Sequence, residues 1–90
     1  MCTITWEPTQ RRLRLAGACT EGDRAALEDA LAEVADAGPV LIVDLTAVDS
    51  LAPAAAEAIV ATCGHSRGCR VSVLRRHSSD VDRVLRDLGV

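Results

Sequence analysis

Cys63, His65 and Cys69 lie close together in the chain, with His77 further on. Thiols and imidazoles are the side chains that bind zinc. Structural zinc sites, however, repeat their ligands at short fixed spacing, and no Cys-x-x-Cys pair occurs among Cys2, Cys19, Cys63 and Cys69. No metal is expected. A small buried Cys63 on a helix, a loop His65 and a strand Cys69 account for the cluster. The remaining chemistry is oxidation. The loop between them is long enough to bring Cys63 and Cys69 together as the redox pair of a thiol sensor.

Catalysis finds little to build on. There is no GxGxxG and no GxxxxGK[ST], and the one GxSxG spelling, Gly64-His65-Ser66-Arg67-Gly68, falls in a predicted loop between a helix and a strand rather than at the strand-to-helix turn of a nucleophile elbow. Both histidines sit in Arg- and Ser-rich segments without a neighbouring nucleophile. Glu28 and Asp29 fall on a solvated helix face. The chain has no lysine, which removes Schiff-base chemistry. The sequence is read as non-enzymatic and without a cofactor.

Three polar residues in the middle of the chain offer a different chemistry, that of contact. Asp44 ends the apolar run VLIVD, at the carboxyl end of a central strand, where sites in α/β proteins usually lie. Contact with a ligand or partner is one reading. Capping of the next residues' amides is the favoured one, because Asp so often does this locally. Asp49 and Ser50 follow in what reads as an exposed loop, and partner contact there stands level with a plain solvated turn.

The elements that must position these residues follow from periodicity. Thr3–Trp6 and Arg12–Ala16 alternate around the turn Glu7-Pro8-Thr9-Gln10 and predict a hairpin ended by Gly17. Leu13 and Leu15 point inward, Arg12 and Arg14 outward. Thr20 is placed to cap a helix with the stripe Leu27, Ala30, Leu31 and Val34, stopped by Gly38-Pro39. Val40–Leu45 is apolar on both faces, as a central strand should be. Pro53–Thr62 reads as an Ala-rich helix with proline at its first position. Cys69–Leu74 alternates again. Ser78 or Ser79 caps a last helix with the stripe Val81, Val84, Leu85 and Leu88, ended by Gly89.

The predicted class is α/β, one domain over residues 1–90. An N-terminal β-hairpin is followed by βαβαβα, giving a small mixed four-stranded sheet. Right-handed crossovers place about three helices mainly on one face. The opposite face is then partly open, apolar at its centre and ringed by Arg12, Arg14 or Arg70. Such a face often takes a second copy or a partner.

Composition narrows the partner. Net charge is −3, and Trp6 is the sole aromatic, which argues against nucleic acid and offers no stacking platform. Residues 20–57 hold nine acids and one arginine, Arg24, whereas residues 65–90 hold six arginines and three aspartates. No apolar run approaches a membrane span, and the N-terminal MCTITW does not read as a signal peptide. A cytoplasmic protein with reduced thiols and no membrane insertion is expected.

The strand VLIVDLTAV, the helix beginning at Pro53, the strand CRVSVL and the closing VDRVLRDLGV together resemble the STAS domains over nearly the whole chain. These include bacterial anti-sigma factor antagonists, stressosome scaffold subunits and small transporter-associated subunits. The resemblance implies a protein-binding, transcription-regulating module. Its partner would be an anti-sigma factor of the histidine-kinase-like ATPase type. In phosphorylated members Asp-Ser-x-Gly opens the second helix, and the kinase modifies that serine. Aligning Asp44-Leu45-Thr46 puts Ala52 at the Asp position, Pro53 at the Ser and Ala55 at the Gly. Pro53 has neither hydroxyl nor N–H, so binding without the phosphoserine switch is expected. Thr46 and Ser50 carry hydroxyls, but are offset from that position. The expected partner-binding residues are Asp49, Ser50, Ala52, Pro53, Ala54 and Glu57. A structural subunit, as a homodimer or in a stressosome-like or transporter-associated assembly, would use the open sheet face instead.

Overall fold

The computed structural model describes residues 2–35, 38–65 and 69–90. Strands β1 (Thr3–Glu7) and β2 (Arg12–Cys19) form the hairpin. A 3-10 turn (Glu21–Asp23) leads into α1 (Arg24–Ala35). Then come β3 (Val40–Leu51), α2 (Pro53–His65), β4 (Arg70–Leu74) and α3 (Asp80–Asp87). The sheet order is β1-β2-β3-β4. β1 pairs antiparallel with β2, and β2, β3 and β4 run parallel. The topology is the one the alternation and crossover rules require.

One apolar cluster holds the layers together. The sheet contributes Leu13, Leu15, Leu41, Val43, Leu45 and Val48, all nearly inaccessible. The helices contribute Leu27, Leu31 and Val34 from α1, Ala55, Ala56, Ala58 and Ile59 from α2, and Val81 and Leu85 from α3. Small alanines let α2 approach its neighbours closely, which suits a helix packed against both α1 and α3.

Two strands run longer than alternation suggests. β2 passes through Gly17 to Cys19, and β3 passes Leu45 to reach Leu51. Two irregularities explain this. Between Arg14 and Ala16 of β2, and again between Gly17 and Ala18, β3 carries an extra residue. After the first bulge the inward residues of β3 are Leu45, Val48 and Leu51, three apart rather than two. A period of three hides the strand from a search for period two. Gly17 takes φ 84°, a conformation open to glycine at a bulge rather than a strand terminator.

The helix ends follow local chemistry. Thr20 is the N-cap as expected, but of a 3-10 turn that precedes α1: it forms a capping box with Asp23, whose Oδ2 accepts from the Thr20 amide and hydroxyl at 2.8 and 3.0 Å. At α3, Ser79 Oγ accepts from the Asp82 amide at 3.1 Å. Gly89, at φ 88°, closes the other end. Its amide donates to Arg86 O and that of Val90 to Leu85 O, both at 3.0 Å, a Schellman pair. α2 extends to His65 and so includes Cys63. Cys69 precedes β4 rather than opening it. Of the loop glycines and serine expected after α2, Ser66 and Gly68 lie outside the described residues.

Candidate functional site

The start of α2 is built by backbone rather than side chains. Ala52 donates its amide to Cys19 O at 2.8 Å, and its carbonyl accepts from the Ala56 amide at 3.0 Å. Ala52 therefore occupies the cap position with a side chain that cannot cap. Pro53 follows at the first helical position, where its missing N–H costs nothing. Asp49 and Ser50 are exposed as expected, yet they belong to the bulged end of β3, not to a loop. The extended pairing with β2, up to Cys19 opposite Leu51, holds them in place.

Pro53 and Glu57 are exposed, and Ala52 and Ala54 half-buried, so the expected partner-binding residues form one ridge from the end of β3 onto α2. The 3-10 turn packs against α2, a neighbour that only the tertiary fold supplies. Arg24 joins the helices, donating to Glu28 at 3.0 Å and to Glu57 at 3.2 Å. Glu57 is thus already engaged within the chain. These charges are solvated, and each pair contributes less than about 1 kcal/mol.

Asp44 lies at the centre of the open sheet face, only 5% exposed. Its Oδ1 accepts from the Thr46 amide at 2.9 Å and the Thr46 hydroxyl at 2.6 Å, which fixes the first bulge. Its Oδ2 meets Arg12 at 3.4 Å and Arg14 at 3.9 Å. Burial opposes ionisation, but the Thr46 hydroxyl and amide and the two guanidinium groups outweigh it, and the carboxyl is held below the usual range. Capping is its structural role, with an ion pair the sequence did not disclose. The face is accordingly not apolar at its centre. Parity puts Asp44 opposite Arg14, and Glu7 opposite Arg12, so charges pair across strands. Glu7 Oε1 and Arg12 Nε are buried and face each other at 3.7 Å, attracted by charge without a hydrogen bond. The apolar part lies to one side, where Val40 is 43% and Leu74 42% exposed.

A second buried carboxylate escaped the sequence reading. Asp82, on α3, is 4% exposed. It accepts from Arg75 at 3.0 Å, the Ser78 amide at 3.2 Å and Arg86 at 3.3 Å. Burial again opposes the charge, and the Ser78 amide with both arginines lowers the pKa regardless. The pattern Ser79-x-x-Asp82 was the available signal, since an acid three residues after a cap commonly reaches back. Beside it a polar cleft of about 220 Å³ is lined by Ser78, Ser79, Asp82, Arg83 and Arg86. Arg76 donates to Val48 O at 3.2 Å and covers a carbonyl on the part of β3 that β4 does not reach.

All four cysteines are free thiols. Cys63 and Cys69 are half-buried, and burial pushes the Cys63 thiol up, away from reactivity. Among the described residues no group of three or more His, Cys, Asp or Glu could hold a metal ion. No helix among them is long and apolar enough to cross a membrane.

With a hairpin, two parallel crossovers and the helix at Pro53, the architecture is that of a STAS domain. The family model described as "Mlab, STAS domain" matches residues 2–90, and the chain belongs to that family. STAS domains are generally non-catalytic interaction modules. No curated protein matches the chain. Among solved structures it is similar to one described as "Crystal Structure Analysis of Mglu", with TM-score 0.65 and 22% identity over 86% of this chain. The chain spans 20% of that protein's length, and the likeness concerns the fold alone.

Proposed function

We propose that the protein is a non-enzymatic regulatory module that binds a partner protein through the ridge Asp49–Glu57 without a phosphoserine switch. The observation that carries this reading is the start of α2: an exposed ridge held by backbone bonds, with Ala52-Pro53-Ala54-Ala55 where a phosphorylated relative has Asp-Ser-x-Gly. An anionic phosphate would need the free amides of a helix start. Pro53 removes one of them and offers no hydroxyl. The partner class that fits is an anti-sigma factor of the histidine-kinase-like ATPase type. Control then comes from partner exchange or expression level.

The test mixes the chain with such ATPases and ATP. A complex is expected on size exclusion, no phosphate on the chain by mass spectrometry, and loss of the complex in Ala54→Arg. Stoichiometric phosphate at Thr46 or Ser50 overturns the constitutive reading, and a complex unaffected by Ala54→Arg overturns the ridge.

A second reading rests on the exposed Val40 and Leu74: a structural subunit, as a homodimer or in a larger assembly, docking through the sheet face. Light scattering separates it from the first. A dimer that Leu74→Glu dissociates supports it, and a clean monomer removes the homodimer.

A further inference from the structure

The cysteines that come together are not the pair suggested by their nearness in sequence. Thr3 lies opposite Ala16 in the antiparallel hairpin, so Cys2 falls opposite Gly17, which has no side chain. Cys19 lies two residues beyond Gly17. The cleared space leaves room for Cys2 to lean toward Cys19, its diagonal neighbour on the core-facing side of the hairpin, near enough for Cys2 to help raise the Cys19 pKa. Cys19 is buried at 1% exposure, and Cys2 is half-buried against the same core. A disulfide needs the sulfurs about 2.05 Å apart and the Cα atoms within about 7 Å, so closing the bond draws the start of β1 slightly toward the end of β2.

We infer that Cys2 and Cys19 form a redox modification site, closed to a disulfide by an oxidant of the peroxide class and reopened by a thiol reductant. Solvent reaches Cys2, which reacts first. Its sulfur attacks one peroxide oxygen, the O–O bond breaks, and Cys2 sulfenic acid and one water result. The Cys19 sulfur then attacks the Cys2 sulfur. The S–S bond forms, the S–OH bond breaks, and a second water leaves with the Cys19 proton. The two thiols have lost two electrons, and the peroxide has gained them. Burial first, and the neighbouring Cys2 next, push the Cys19 thiol up to about 12, so Cys19 does not react with the oxidant directly and its attack on the Cys2 sulfenic acid is the slow step. The bond would tie the start of β1 to the end of β2. Its position also matters, since Cys19 O is the acceptor that holds the Ala52 amide at the start of α2.

The experiment treats the folded, reduced chain with one equivalent of hydrogen peroxide, alkylates remaining thiols with iodoacetamide and digests with trypsin. Cleavage after arginine puts each cysteine on a separate peptide. The expected product links peptide 1–11 to peptide 15–24, disappears with dithiothreitol, and leaves Cys63 and Cys69 alkylated. Cys2→Ser should abolish it, and urea present during oxidation should scramble it. A Cys63–Cys69 link, a Cys2 that goes only to sulfinic acid, or Cys2 and Cys19 both recovered alkylated would overturn the assignment.

Discussion

The helices α2 and α3 each follow a parallel strand, yet they begin in opposite ways. α3 starts on a side-chain cap, with Asp80 and Asp82 in its first turn and Arg86 in its last, matching the helix dipole at both ends. α2 starts on Ala52 and Pro53 with no acid in its first turn. Its first turns instead bury Ala55, Ala56, Ala58 and Ile59 in the core. One helix is secured by local polar bonds, the other by packing. A helix secured by packing can leave its first turn chemically bare and free to meet another molecule. That freedom is what a docking ridge needs.

The largest expected effect breaks the packed helix. Ile59→Ala should lose about 2–5 kcal/mol in denaturant unfolding, as fully buried large-to-small changes do. A loss no larger than that of a cap would mean that packing does not hold α2.

The next prediction concerns α3. Asp82→Asn removes the charge that Arg75 and Arg86 share, and the unfolding midpoint at neutral pH should fall. The pH dependence has a definite sign. The Asp82 pKa is lowered on folding, so its contribution is complete above the ordinary aspartate range near about 3.9 and is lost as pH falls through the folded value. The wild type should therefore lose stability progressively below about pH 4. Asp82→Asn should flatten part of that decline, and Asp44→Asn a further part. An unchanged acid limb in both variants would refute the assignment.

The smallest effects probe the caps. Ser79→Ala should cost about 1 kcal/mol, while Ala52→Ser should gain up to about 1 kcal/mol by supplying the acceptor α2 lacks. If Ala52→Ser instead weakens partner binding while raising the thermal midpoint, the bare start has been kept for docking at a cost in stability.

The order of elements, the parallel sheet and the single apolar cluster were legible because they depend on periods of two and 3.6 residues, which the sequence displays directly. Pro53 at the first helical position and Gly89 at the last turn were equally plain. What escaped has one physical origin: it depends on register. The bulges in β3 turned its inward period to three and made Asp49 and Ser50 look like a loop. The same register brings Asp44 between Arg12 and Arg14, and the hairpin register puts Cys2 and Cys19 on one face, across long separations in sequence. Asp82 hid for a different reason, because an acid on an eight-residue helix reads as solvated until Arg75 arrives from outside the helix to cover it.

The sequential strand order also decides what the last strand protects. Each strand lies beside the one before it in the chain, so β4 forms the edge that covers β3. Without Arg70–Leu74, the Val40–Asp44 half of β3 would present an unpaired edge of Val, Leu, Ile and Val, ended by Asp44. An apolar strand edge of this kind is a template for pairing with another chain. Arg70–Leu74 therefore does more than complete the sheet: it shields the apolar half of β3 from pairing with another chain.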